Sequence, residues 1–162
     1  MRAGDGSQYL KLEPLHDACG DGDLRAVIDA VAKHPDPLGA CAALDEDGQT
    51  ALHHACAGGD VSVTAFVLER VPPGSVNRRD MHDMSPFHIA CENGHLAVVR
   101  LLAARPDLDR NARSTRRTSY FLAAKHGFEE VCAFLEALAR ADDESSEGGE
   151  PTPTAEPAGR SR

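Results

Sequence analysis

SPFHIACENGHLAVVRLLA, Ser85 to Ala103, decides the fold, because TALHHACAGGDVSVTAFVL, Thr50 to Leu68, has already made nearly the same statement. A further copy, EPLHDACGDGDLRAVI, runs from Glu13 to Ile28, and a more divergent one, TSYFLAAKHGFEEVCAFL, from Thr118 to Leu135. Indexed on the alanine near the start of each copy (Ala18, Ala55, Ala90, Ala123), the spacings are 37, 35 and 33 residues. A glycine follows each index by four residues: Gly22, Gly59, Gly94 and Gly127. A period in the thirties marks a stack of helix pairs in which each unit buries its apolar face only against its neighbours.

The residues explain the unit. Thr50, Ser85 and Thr118 stand where a hydroxyl can cap the orphan amides of a helix start. Pro14 and Pro86 follow at the first helical position, where a missing amide costs nothing. The glycine ends a first helix of about two turns in the left-handed conformation of a helix stop. A second helix then carries apolar residues at helical spacing, Leu24, Val27, Ile28 and Val31 in the first copy and Leu96, Val99, Leu101 and Leu102 in the third. Small residues (Ala18, Cys19, Ala55, Cys56, Ala90, Cys91) let neighbouring helices approach closely. HPDPLGA, His34 to Ala40, and VPPGS, Val71 to Ser75, read as loop insertions after second helices, with their prolines ending those helices.

These sentences resemble the T-P-L-H-x-A-x-x-x-G pattern of ankyrin repeats. The resemblance implies an all-α, ankyrin-type solenoid of four helix–turn–helix repeats joined by β-hairpin-like fingers. The repeat boundaries fall at about 13–44, 45–79, 80–112 and 113–140. DEDGQT, Asp45 to Thr50, fits the family's finger, with Asp45 and Gly48 at the turn-forming places. VNRRDMHDMS, Val76 to Ser85, fits with Asp83 in the glycine place, a conformation Asp tolerates better than most residues. LDRNARSTRRT, Leu108 to Thr118, departs from the pattern by putting Arg113 and Arg116 where Asp and Gly are expected.

At 162 residues with seven aromatics and no Trp, the chain has the length of one domain and no material for an aromatic core. It has neither an apolar run long enough to span a membrane nor an apolar signal core near Met1. Cys19, Cys56 and Cys91 share one repeat position, so they read as small core residues rather than disulfide partners. A reducing address, cytoplasmic or nuclear, follows. Residues 1–12 are expected to be partly disordered. Residues 141–162, rich in Glu, Pro, Gly and Ser, are expected to form a disordered acidic tail.

The net charge of −9 is unevenly placed. Residues 1–75 hold 5 basic and 12 acidic residues, a balance of −7; residues 76–140 hold 10 and 8, or +2; the tail holds 2 and 6, or −4. Arg78, Arg79, Arg110, Arg113, Arg116 and Arg117 crowd the third and fourth fingers, where guanidinium forks suit an acidic partner segment. The acidic tail is an intramolecular candidate for the same edge. The acidic balance and the lack of aromatic-interleaved basic stretches argue against nucleic acid. The protein is expected to be monomeric on its own.

Chemistry is sparse. His16, His53 and His88 occupy the H of T-P-L-H, where the family resemblance implies hydrogen bonds between neighbouring fingers. His53 to Cys56 brings potential ligands together, but Cys56 belongs to the core column and no C-x-x-C pair exists, so a metal is not expected. DEDG has no aspartate at the earlier alternating place, which is Ala43, and lacks the closing glutamate of a calcium loop, where His54 stands. GDGD, Gly20 to Asp23, lacks the ending of a phosphate loop, and no nucleophile stands in a recognisable setting. The sequence implies neither an enzyme nor a cofactor.

By resemblance, partners lie in the groove made by finger tips and first helices. The variable places there are Glu46, Asp47, Gln49, Met81, His82, Met84, Glu92, Asn93, Ser114, Thr115, Arg117, Lys125 and His126. Met81 and Met84, read as exposed, suit an adaptable contact surface. Ser119 (in RRTS) and Ser145 and Ser146 (in ESSE) are candidate phosphorylation sites. The expected function is protein binding, by a stand-alone adaptor or inhibitor or by a recognition subunit of a larger assembly. The layout also resembles the small ankyrin inhibitors of cyclin-dependent kinases. Those have a shortened helix in the second repeat, whereas ALHHACAGG, Ala51 to Gly59, shows no loss. Leu101 is expected in the core, with truncation to Ala costing about 2–5 kcal/mol.

Overall fold

In the computed structural model, residues 13–109 and 118–146 are described; they contain nine α-helices and no strand. The helices are α1 (Glu13–Asp21), α2 (Leu24–Lys33), α3 (Pro37–Ala42), α4 (Ala51–Gly58), α5 (Val61–Leu68), α6 (Pro86–Glu92), α7 (Leu96–Ala103), α8 (Ser119–Lys125) and α9 (Glu129–Ser146). First helices stack in one layer, α1 on α4, α4 on α6 and α6 on α8. Second helices stack in the other, α2 on α5, α5 on α7 and α7 on α9. Each first helix also packs against the second helix of its own repeat.

The layers meet through small residues. Cys19, Ala55, Cys56, Ala90, Cys91 and Ala123 are completely buried, and Leu52, Val63, Val67, Val98, Val99 and Leu102 fill the space between them. All five cysteines are free thiols. Burial pushes the Cys19 and Cys91 thiols up to about 12, so they stay protonated and behave as core atoms.

Helix starts are capped by hydroxyls, as expected, and also by aspartates that sequence reasoning did not single out. Ser85 Oγ accepts from the His88 amide, Thr118 Oγ1 from Phe121, Asp23 from Ala26 and Asp60 from Val63. Gly59 ends α4 at φ 79°, and a side chain there would collide with a neighbour. A Cβ at Gly59 would lie 2.5 Å from the His95 ring, and one at Gly94 would lie 2.5 Å from Phe128. The second and third repeats thus seat the repeat that follows on their helix-ending glycines.

Four sequence expectations need correction. HPDPLGA is not wholly a loop: Asp36 caps α3 through the Gly39 amide, Pro37 starts it, and Ala40 and Cys41 are buried. In the third repeat's second helix Val99 and Leu102 are fully buried as expected, whereas Leu101 is only partly buried and packs at the edge of the core. Ile28, expected to face inward, is 42 % exposed. Finally, α9 continues to Ser146, six residues beyond the boundary drawn at Ala141. Extending an existing helix costs far less than starting one, and composition alone does not register that.

VPPGS makes a tight turn, with Gly74 at φ 84° leading into a 3-10 turn over Ser75–Asn77. It is tied to the equivalent loop one repeat on. Gly74 N–H donates to Asp107 Oδ2 at 3.1 Å, Asn77 Nδ2 to the Asp107 carbonyl at 2.6 Å, and Asp109 N–H to Asn77 Oδ1 at 2.8 Å. Arg105 grips the same carboxylate at 2.9 Å and, with the Gly74 amide, holds Asp107 down to about 2.

Candidate protein-binding face

Fingers two and three are built alike. Asp45 N–H donates to Gln49 O at 2.9 Å, and Asp45 Oδ1 accepts from the Asp47 and Gln49 amides at 2.9 and 2.7 Å. Asp80 N–H donates to Met84 O at 3.0 Å, and Asp80 Oδ1 accepts from the His82 and Met84 amides at 2.8 and 2.9 Å. An aspartate able to receive the amides two and four residues further on is what sets these turns. Gly48 has φ 74° and Asp83, in the matching place, φ 62°. The left-handed position expected of Asp83 is therefore real. An Arg79–Asp83 ion pair at 2.6 Å accompanies it.

The two fingers are also bonded to each other. Met81 N–H donates to Asp47 O at 2.9 Å and Gln49 Nε2 to Asp80 Oδ2 at 3.1 Å. His53 supplies the third tie. Its Nδ1 accepts from the Thr50 amide at 3.1 Å, so the proton resides on Nε2, which donates to the Arg78 carbonyl at 3.1 Å. Burial holds His53 below its ordinary pKa, which keeps this neutral tautomer in place. The finger-to-finger role implied for the T-P-L-H histidine is thus visible at His53.

Around this frame, Glu46, Asp47, Met81, His82, Asn93, Lys125 and His126 are exposed. Met81 is 74 % exposed, the most open large apolar side chain among the described residues. Gln49 and Met84 are half-buried, Gln49 by its bond to Asp80 and Met84 by packing on the core. Met84 is therefore not the exposed residue expected from its place beside Met81. Glu92 is half-buried and lies 3.9 Å from His126. Arg78 and Arg79 are exposed. Ser114, Thr115, Arg117, Arg110, Arg113 and Arg116 lie outside the described residues. Ser119 is buried, and its hydroxyl has no hydrogen-bond partner among the described residues, so a kinase reaches it only if the start of α8 opens. Ser145 and Ser146 are the last two residues of α9.

Three features escaped sequence reasoning. The first is exposed aromatic surface on α8, with Tyr120 44 % and Phe121 50 % exposed. They occupy the places of Leu52 and His53, which are fully buried in the second repeat. The repeat register carries that signal once the fourth copy is recognised as the last described. The second is His95, whose Nε2 lies 3.0 Å from the Ala57 carbonyl of the preceding repeat. The third is a ring contact between His16 and His54, at 4.9 Å between centroids. Spacing in the chain gives no hint of it, because the two belong to different repeats. Burial, with His54 adding to it, holds His16 below its ordinary value. Burial works against ionised Asp45, but the His54 hydrogen bond and the Gln49 and Asp47 amides hold its carboxyl below the usual range.

Bonded fingers set at the edge of stacked helix pairs define a repeat scaffold for protein recognition. Family models agree: ankyrin repeats (3 copies) match residues 63–143 and ankyrin repeats (many copies) match residues 15–68. The chain belongs to the ankyrin repeat family. It is 33 % identical over 128 residues to the "Probable 26S proteasome regulatory subunit p28" of Saccharomyces cerevisiae, covering 75 % of this chain and 54 % of that protein. It is 32 % identical over 78 residues to human Rabankyrin-5, covering 48 % of this chain and 6 % of the relative. Against human "Transient receptor potential cation channel subfamily A member 1" it is 30 % identical over 90 residues, covering 55 % of this chain and 8 % of that protein. The chain thus spans about half of the yeast relative and under a tenth of the other two. Among the described residues, no helix is long and apolar enough to cross a membrane.

Proposed function

We propose that this chain is a non-catalytic recognition subunit, holding a segment of a partner protein against the fingers and first helices of repeats two and three. The observation that carries the reading is Met81, an exposed and flexible apolar side chain on a finger fixed by its own backbone bond to Asp47. A mobile contact group on a rigid mount meets varied partner surfaces at little ordering cost. Glu46, Asp47, His82, Asn93 and the Arg78–Arg79 pair supply a polar rim. The resemblance to a proteasome regulatory subunit favours membership of a larger assembly over a stand-alone inhibitor. A cytoplasmic or nuclear address accords with that reading. The cyclin-dependent kinase inhibitor reading loses ground, because α4 is a full eight residues.

A photo-crosslinking residue placed at 81 tests the reading, with one at Val61 as control. Val61 starts α5, the end of the helix pair remote from the fingers. A partner captured from native cells at 81 and not at 61, as part of a multi-subunit complex, is the expected result. Equal capture at both positions, or a free partner outside any complex, would overturn the site or the assembly role respectively.

A further inference from the structure

The T-P-L-H histidines of the first three repeats are not equivalent. His53 and His88 each follow a hydroxyl residue by three positions and receive it on Nδ1, Thr50 Oγ1 at 2.9 Å and Ser85 Oγ at 2.7 Å. His16 follows Glu13 instead. Its side chain is 5 % exposed, and its Nε2 is a buried nitrogen with no hydrogen-bond partner among the described residues. Leaving such a group unsatisfied costs free energy, and a site that retains one invites a functional account.

His16 does not stand alone. Its ring lies over that of His54, with 15° between the planes, and His54 Nε2 is 2.8 Å from Asp45 Oδ2. The other Asp45 oxygen is occupied by the Asp47 and Gln49 amides, which fix the carboxylate and leave Oδ2 facing the histidines. One ligand atom from each of His16, Asp45 and His54 lies within 4.8 Å of the other two. We propose that these three side chains bind a divalent transition-metal ion of the zinc type, fastening α1 of the first repeat to the finger and first helix of the second.

The donor set selects the ion. Two imidazole nitrogens and one carboxylate oxygen suit Zn²⁺ and its neighbours, whereas Ca²⁺ and Mg²⁺ ask for oxygen donors. Tetrahedral bonds of about 2.0–2.1 Å put ligand atoms about 3.3 Å apart, so the His54–Asp45 pair needs almost no adjustment. Parallel stacked rings cannot both hold one ion in their planes, so one ring must turn on binding. His54 has room to do so, with 28 % of its side chain exposed and a ring torsion that is soft. The fourth position is left to water. Cys19, Cys41, Cys56 and Cys91 do not compete in the native protein, because all four thiols are buried.

The test starts from the full chain stripped of metal with a chelator and reduced, titrated with ZnCl2 by calorimetry and melted with and without the ion. Co²⁺ serves as a spectroscopic probe. Saturation at one ion per chain is expected, with a melting temperature higher by at least about 5 °C at a hundredfold excess over the dissociation constant. Co²⁺ should show the visible absorption of a four-coordinate site. His54→Gln and, separately, His16→Gln should each weaken binding at least about tenfold, while His126→Gln, outside the cluster, should not. His54 is partly exposed, so His54→Gln is expected to fold even if His16→Gln does not. No melting shift with Zn²⁺, or binding that survives His54→Gln, would overturn the proposal.

Discussion

The second and fourth repeats have the same two-helix plan and differ in how far their first helices are covered among the described residues. In the second, whose first helix packs between those of its neighbours, Leu52 and His53 are fully buried, and the stop glycine Gly59 carries His95 against it. In the fourth, the matching residues are Tyr120 and Phe121, about half exposed, and among the described residues no heavy atom outside its chain neighbours lies within 4 Å of where a Cβ would stand on Gly127. The same motif is thus a packing device in one place and only a backbone device in the other. In a stacked array, stability resides in interfaces as much as in units, and the difference between these repeats measures one interface.

The largest expected effect sharpens that contrast. Leu102→Ala, in the α7 core, should cost about 2–5 kcal/mol in urea unfolding, whereas Tyr120→Ala on the open face should cost less than about 1 kcal/mol. Equal losses would mean that the last repeat is covered in solution. The glycines give the next test. Gly59→Ala meets both a positive φ and the His95 ring and should cost about 2–4 kcal/mol, while Gly127→Ala meets the backbone term alone, about 1–2 kcal/mol. Thermal melts of the two variants, with His95→Ala added to the first, separate the terms; the double variant should recover part of the loss.

A smaller effect concerns the outer loops of repeats two and three. Asp107 has a folded pKa of about 2 against an ordinary 3.8. The folded state therefore favours its ionised form, and the contribution is complete above the ordinary value and fades as pH falls from there towards 2. Asp107→Asn should lower the urea midpoint slightly at neutral pH, and its gap from the native chain should narrow below about pH 4. The smallest effect belongs to the finger tip: Met81→Ala should change stability by no more than about 0.5 kcal/mol while weakening capture of the partner.

Much of this was legible in the chain because solenoid contacts are local and repeated. The period located every first helix, the hydroxyls located three helix starts, and Asp83 declared its own left-handed turn by standing where a glycine belongs. What escaped reading depends on rotation or on neighbours. Leu101 and Leu102 are adjacent and equally apolar, and only the helix's angle against α5 and α9 chooses between them. Met84 is drawn down onto the core while Met81 stays in solvent, although the two share chemistry and finger. The short helix α3 hid behind two prolines, one of which starts a helix rather than ending one. For the groove, the sequence named positions on fingers two and three, of which Glu46, Asp47, Met81 and His82 are exposed and Gln49 and Met84 are half-buried. Those on the fourth finger lie outside the described residues. The His16–His54 contact crosses repeats and leaves no periodic trace.

The buried thiols carry a consequence for measuring this molecule. Cys19 and Cys41 belong to the first repeat, Cys56 to the second, Cys91 to the third and the half-buried Cys132 to the fourth. A thiol that is shut away and protonated reacts with an alkylating reagent only during moments when its own repeat opens. The chain therefore contains its own set of clocks, distributed along its axis. Labelling rates followed by peptide mass spectrometry would time the opening of the first three repeats in turn, with the half-buried Cys132 as a faster reference.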